Sequence, residues 1–177
     1  MKFRCAGYET ESIVDGPGLR LVIFFQGCLR HCKGCHNPET WSLNGGQEMD
    51  TSYFEALMDN PLLAGITLSG GEPWYQAEQA LELAKMAKKR NLSVWCYTGA
   101  HVEDIEAIIE YTGCGMYEEG AGDVVLARQY YIFKDLYETI DVLVDGEFKE
   151  EEKSLDLEWR GSKNQRVIDM NERRKNK

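Results

Sequence analysis

The sequence predicts an α/β fold, an incomplete (β/α) barrel with a mainly parallel sheet. Three observations predict it. Short strand-like runs alternate with amphipathic helical stretches down the chain, the pattern of repeated βαβ units. The first clear run, Leu19-Arg20-Leu21-Val22-Ile23-Phe24-Phe25, is apolar at nearly every position, as suits a strand buried on both faces of a parallel sheet. A chain of 177 residues holds too few such units for a closed eight-fold barrel.

In chain order, the segment from Tyr8 to Gly18 ends in the turn signal Asp15-Gly16-Pro17-Gly18, and Leu19 to Gln26 reads as a strand. A helix is predicted from near Ser52, with Glu55 at capping-box spacing, Phe54, Leu57 and Met58 as its apolar stripe, and Pro61 beyond its end. Gly65-Ile66-Thr67-Leu68 is a short strand running into Ser69-Gly70-Gly71-Glu72-Pro73. Between Tyr75 and Arg90, Ala77, Ala80, Leu81, Ala84 and Ala87 line one helical face, and Lys88, Lys89 and Arg90 suit the negative end of the dipole. Leu92 to Tyr97 is a strand broken by Thr98-Gly99, and His101 to Thr112 a helix that stops at Gly113. The stretch Val124 to Tyr137 is helical, Asp141 to Asp145 a strand ending at Gly146, and Arg166-Val167-Ile168 a last short strand. In parallel α/β architectures ligands bind at the carboxyl ends of strands. The loops after Gln26, Leu68, Tyr97 and Asp145 are therefore expected on one face.

The totals narrow the class. A composition of 43% hydrophobic and 28% charged residues is that of an ordinary globular protein, with residues 1–170 expected as one domain and the basic end 171–177 as a frayed tail. A net charge of −10 argues against a nucleic-acid surface. No apolar stretch approaches a membrane span, and no secretion signal is visible. Six cysteines in such a chain imply a reducing cytoplasm, where thiols bind metals or sit in the core.

The chemistry centres on Cys28, Cys32 and Cys35, spaced C-x3-C-x2-C directly after the first strand. Thiolates are soft ligands, and three within eight residues converge on one centre only if the backbone curls, which Gly27 and Gly34 permit. Three protein ligands leave one coordination position open for chemistry. Zinc completed by His31 or His36 stands equally open from these residues alone. Cys5, Cys96 and Cys114 lack ligand spacing and read as plain thiols.

The cysteine motif together with Gly70-Gly71-Glu72-Pro73 resembles the radical S-adenosylmethionine superfamily. Within it, the chain is similar to the glycyl-radical enzyme activases that serve anaerobic ribonucleoside-triphosphate reductase. The similarity runs through Ile13 to Arg20, Gln26-Gly27-Cys28, Leu68 to Pro73, Val142 to Phe148 and the carboxyl-terminal motif Trp159-Arg160-Gly161-Ser162-Lys163-Asn164-Gln165-Arg166. The resemblance implies that Cys28, Cys32 and Cys35 hold a 4Fe–4S cluster whose fourth iron takes the methionine end of S-adenosylmethionine. Ser69, Gly70, Gly71, Glu72, Thr98 and Asp145 are the implied cofactor-binding residues, with Glu72 offering charge to the ammonium group. Reductive cleavage would give a 5′-deoxyadenosyl radical that takes hydrogen from a backbone glycine of the reductase. A flavodoxin or ferredoxin is the implied electron donor. A side chain at Gly71 is expected to obstruct the cofactor while leaving the cluster ligands, on another loop, undisturbed.

Two features depart from that family. His36 follows Cys35 where reductase activases often carry tyrosine, whereas formate-lyase activases share Cys-His-Asn. The stretch from Gly113 to about Asp135 is an insertion relative to compact members. A formate-lyase activase, a 7-carboxy-7-deazaguanine synthase and a non-enzymatic zinc module are the competing readings.

Overall fold

The strand predicted at Leu19 is the hub of the sheet, and its side chains alternate between two buried faces. In the computed structural model, which describes residues 1–113 and 123–176, this strand is β2 (Leu19–Phe25). Leu21, Ile23 and Phe25 point into the helical layer and join the main core. Arg20, Val22 and Phe24 occupy the other face. β2 pairs in parallel with β4 (Leu63–Gly70), β4 with β5 (Ser93–Tyr97) and β5 with β6 (Val142–Asp145). The registers Phe25 to Gly70, Leu68 to Cys96 and Cys96 to Leu143 bring all four carboxyl ends to one edge.

Antiparallel strands flank this parallel centre. β1 (Lys2–Ser12) pairs with β2 and with β3 (Gln47–Asp50), and β7 (Arg166–Asp169) pairs with β6. The order is β3-β1-β2-β4-β5-β6-β7, an open mixed sheet. β1 and β3 were not expected from the sequence. Lys2, Arg4, Glu9, Glu11, Glu48 and Asp50 face solvent there, so the apolar signal that marks a buried strand is missing.

Helices α1 (Tyr53–Leu57), α2 (Ala77–Lys88), α3 (Val102–Gly113) and α4 (Asp123–Thr139) follow the predicted segments. Pro73 opens a 3₁₀ turn to Gln76 before α2, so α2 starts two residues later than its periodicity suggests. Its alanines at 77, 80, 84 and 87 are buried, which lets the helix lie close on the sheet. The capping box at Ser52 does not form: Ser52 is itself helical, and its hydroxyl donates to Asp50 at 2.7 Å. Cys114 and part of the expected insertion fall outside the described residues.

The basic end is helical as far as Lys175. Asp169 caps α5 (Met170–Lys175) by accepting from the Asn171 and Glu172 amides. Arg173 makes a two-pronged contact with buried Glu106 at 3.0 and 2.8 Å, and Arg174 donates to the Tyr137 and Ile140 carbonyls. Charge that reads as solvated in the sequence is here spent on fastening the last helix to α3 and α4.

The face opposite the helices is closed at its lower end. Arg20, fully buried, donates to Thr67 Oγ1, to the carbonyls of Pro17, Ile66 and Ser93 and to the Ser93 hydroxyl, and it lies over the Trp95 ring at 5.5 Å. Burial pushes its guanidinium down to about 10. Gly16 and Trp159 pack against Trp95 at this end, and the cleft lies toward the carboxyl ends of the strands.

Candidate active site

The cysteine loop leaves β2 at Gly27, where φ is +101°, and is tied shut at its base. The Gly27 amide donates to the Thr40 carbonyl at 2.7 Å and Cys28 to Trp41 at 3.1 Å. Gln26, 4% exposed, donates its side-chain amide to the Glu39 and Ser42 carbonyls at 3.1 and 2.7 Å. Within this ring of contacts a turn from Cys32 to Cys35 passes through Gly34 at φ +71°, and Cys28, Cys32 and Cys35 all face one cleft of about 310 Å³.

Three thiols opening on one cleft suit a cluster with one iron left for chemistry. The two loop histidines are engaged elsewhere. His31 stacks on Trp41 at 4.7 Å, and His36 packs against Phe148 at 4.9 Å. The thiols are free and half-buried, as residues awaiting several irons should be. Burial pushes the Cys28 thiol up and, with Glu147 accepting from it at 3.6 Å, the Cys32 thiol to about 11. Metal must therefore displace protons as it enters.

Ser69, Gly70 and Gly71 line the same cleft, followed by Thr98 and Gly99 from the end of β5 and Gly146 from the end of β6. Gly71 rests directly on the cysteine loop: a Cβ there would lie 2.5 Å from the Gly27 carbonyl oxygen. Its own amide donates to Phe25 at 2.8 Å, and that of Glu72 to Gly27 at 2.9 Å. The cluster loop and the Gly-Gly loop are thus one packed unit, and the expectation that a side chain at Gly71 spares the cluster ligands does not survive this contact.

Glu72 and Asp145 are turned away from the cleft. Glu72 is 2% exposed and accepts from Thr98 Oγ1 at 3.0 Å and from the Gly99 and Trp74 amides at 3.1 and 3.4 Å. Burial still pushes its carboxyl up. Asp145 is fully buried, accepts from the first amide of α3 at 2.8 Å and is forked by Arg166. Both carboxylates hold loops together here.

Sequence reasoning missed Arg30 and Tyr97, both on the cleft, while Gln165 of the carboxyl-terminal motif lines it too. Tyr97 was findable, because it shares the period-two face of β5 with Ser93 and Trp95. Its hydroxyl donates to the Trp159 carbonyl at 2.8 Å. Gln165 organises the carboxyl-terminal motif: its Oε1 accepts from Gly161 and Ser162, and its Nε2 donates to Gly146 at 3.0 Å.

The profile of the 4Fe-4S single cluster domain matches residues 14–168, which takes in every element of the cleft. The chain is 34% identical over 171 residues to the anaerobic ribonucleoside-triphosphate reductase-activating protein of Vibrio cholerae, covering 89% of this chain and 92% of that one. It belongs to the family of these activating proteins. The relative from Enterobacteria phage T4 is 30% identical, covering 87% of this chain and 86% of its own. The pyruvate formate-lyase-activating enzyme of Clostridium pasteurianum is 33% identical over 145 residues, 77% of this chain and 56% of that longer protein. The similarity to the family is thus end to end, whereas the formate-lyase relative carries a further portion that this chain does not match.

Proposed function

We propose that this chain activates an anaerobic ribonucleoside-triphosphate reductase by radical S-adenosylmethionine chemistry. The observation that carries the reading is three free thiols opening on the same cleft as Ser69, Gly70 and Gly71. Cys28, Cys32 and Cys35 would hold a 4Fe–4S cluster. The backbone at Ser69, Gly70 and Gly71, with Thr98, would meet the methionine end of the cofactor. Glu72 and Asp145 would act from behind it, by fixing those loops. When bound, the cluster and cofactor would supply the reductive radical chemistry that takes a hydrogen from a backbone glycine of the reductase. The protein's part is to orient the two and keep water out. The closed lower end at Arg20, Trp95 and Trp159 does the second.

In this reading the open sheet is an incomplete (β/α) barrel, and residues 1–170 act as its single domain. No helix among the described residues is long and apolar enough to cross a membrane. The five described cysteines are free, which suits a reducing cytoplasm and a flavodoxin or ferredoxin as electron donor.

The test is anoxic reconstitution with iron and sulfide, then mixing with reductant, S-adenosylmethionine and the reductase. The expected outcome is 5′-deoxyadenosine together with a glycyl radical on the reductase, seen by electron paramagnetic resonance and altered by deuterating the glycine α-position. One observation favours a second reading: Cys35-His36-Asn37 matches the formate-lyase activases. A radical formed on formate lyase and not on the reductase would move the assignment there. A colourless, zinc-loaded protein would end both.

A further inference from the structure

We propose that Arg30 is a positioning residue, latching the cysteine loop onto the cofactor-binding loops through the buried carboxylate of Glu72. Gly99 is left without a side chain so that Arg30 can pass.

Arg30 lies between Cys28 and Cys32, so the loop itself carries it. Its side chain leaves the loop, crosses Gly99 and brings Nε to 3.7 Å from Glu72 Oε2. The crossing is tight. A Cβ on Gly99 would lie 2.3 Å from Arg30 Cδ and 2.5 Å from its Nε, in the same space as the side chain. Gly99 has no need of glycine for its backbone, since its φ is not in the left-handed region. Room for Arg30 is what the missing side chain provides.

Glu72 is the other half of the latch. Its carboxylate already holds Thr98 Oγ1 and the Gly99 amide, so with Arg30 the loops after β2, β4 and β5 meet at one group. The donors on Thr98, Gly99 and Trp74 are neutral. A buried carboxylate is costly without a counter-charge, and among the described residues Arg30 is the cation within 4.0 Å of it. A closed latch fixes the segment that bears Cys28 and Cys32 in its cleft-facing arrangement. Coupling of this kind is reciprocal: whatever orders the Gly-Gly-Glu loop, including a bound cofactor, also steadies the cysteine loop.

The role in cluster retention rests on the three cysteines holding a cluster; hydrogen exchange before any iron is added does not, and this separates the two. In the iron-free protein, amides of residues 27–36 should exchange about tenfold faster in Arg30→Gln and in Gly99→Ala. The Arg30→Gln/Gly99→Ala double variant should exchange no faster than either single variant, because a side chain at 99 has nothing left to displace. Arg30→Lys, which keeps a cation in reach of Glu72, should restore exchange close to the parent. After anoxic reconstitution, loss of the cluster to an iron chelator should rank the four variants in the same order. Melting temperature should fall in Arg30→Gln, which leaves the buried Glu72 carboxylate without its cation, and return close to the parent value in Arg30→Lys. Gly99→Ala exchanging like the parent protein, or its effect adding in full to that of Arg30→Gln, overturns the latch. Failure of the parent itself to take up iron would overturn the proposed function and leave the exchange ranking to be judged alone.

Discussion

Gly71→Ala is the smallest change that tests whether the cluster loop and the cofactor loop are one unit. The added methyl carbon would sit 2.5 Å from the Gly27 carbonyl oxygen and 2.9 Å from the carbonyl carbon. All three nearest atoms are backbone, so no side-chain rotation relieves the overlap, and one loop must back away. Overpacking of this kind costs about 1–3 kcal/mol. Separation also strains the Glu72-to-Gly27 hydrogen bond at 2.9 Å, worth about 1 kcal/mol. Together these approach roughly 3 kcal/mol, or about a hundredfold in the population of the formed loop. The measurements are iron and sulfide per chain after anoxic reconstitution, the rate of cluster loss to a chelator, and S-adenosylmethionine affinity by calorimetry. All three should deteriorate together. Gly7→Ala is the control, because a Cβ there meets nothing within 4 Å. Full iron content and a parental rate of loss in Gly71→Ala, with only cofactor affinity reduced, would refute the shared base.

Replacing Cys28, Cys32 or Cys35 by alanine should abolish the brown chromophore and cofactor cleavage, whereas Cys5→Ala and Cys96→Ala should keep both; absorbance near the sulfur-to-iron bands and product analysis decide it. Arg173→Ala removes the fork on Glu106 and should lower stability by about 2 kcal/mol in urea titration, with its partly exposed position holding it below the cost of a fully buried pair. Arg166 holds the half-exposed Glu103 carboxyl down to about 2, so the pair's stabilisation is full above the ordinary carboxylate range near 4.5 and is lost as pH falls through 2. Glu103→Gln should flatten the melting temperature against pH in that window, and an unchanged slope would show that Glu103 contributes nothing there.

What the sequence made legible follows from which forces leave a local trace. β2, β4, β5 and β6 show as apolar runs because both their faces are covered, and the cysteine spacing survives because ligands to one centre must lie close along the chain. β1 and β3 left no such trace, since polar residues on their outer faces break up the apolar run. Glu72 stands out in the sequence on the Gly-Gly loop, yet its direction depends on Thr98 and Gly99, which are distant in sequence and adjacent only once β4 and β5 pair. The same holds for Gln26 and Gln165, whose amides satisfy backbone groups across long gaps. The terminal arginines misled for the opposite reason: a run of charge looks solvated until buried Glu106 and the carbonyls of Tyr137 and Ile140 are placed beside it.

The wall built by Trp159, Gly161 and Gln165 has a temporal side. A ribosome releases the chain from its amino terminus, so the three thiols and the Gly-Gly loop are free to fold while this wall is still unmade. Only when residues 159–169 emerge and β7 pairs with β6 does the cleft gain its far side. Synthesis order thereby places scaffold and ligands ahead of enclosure.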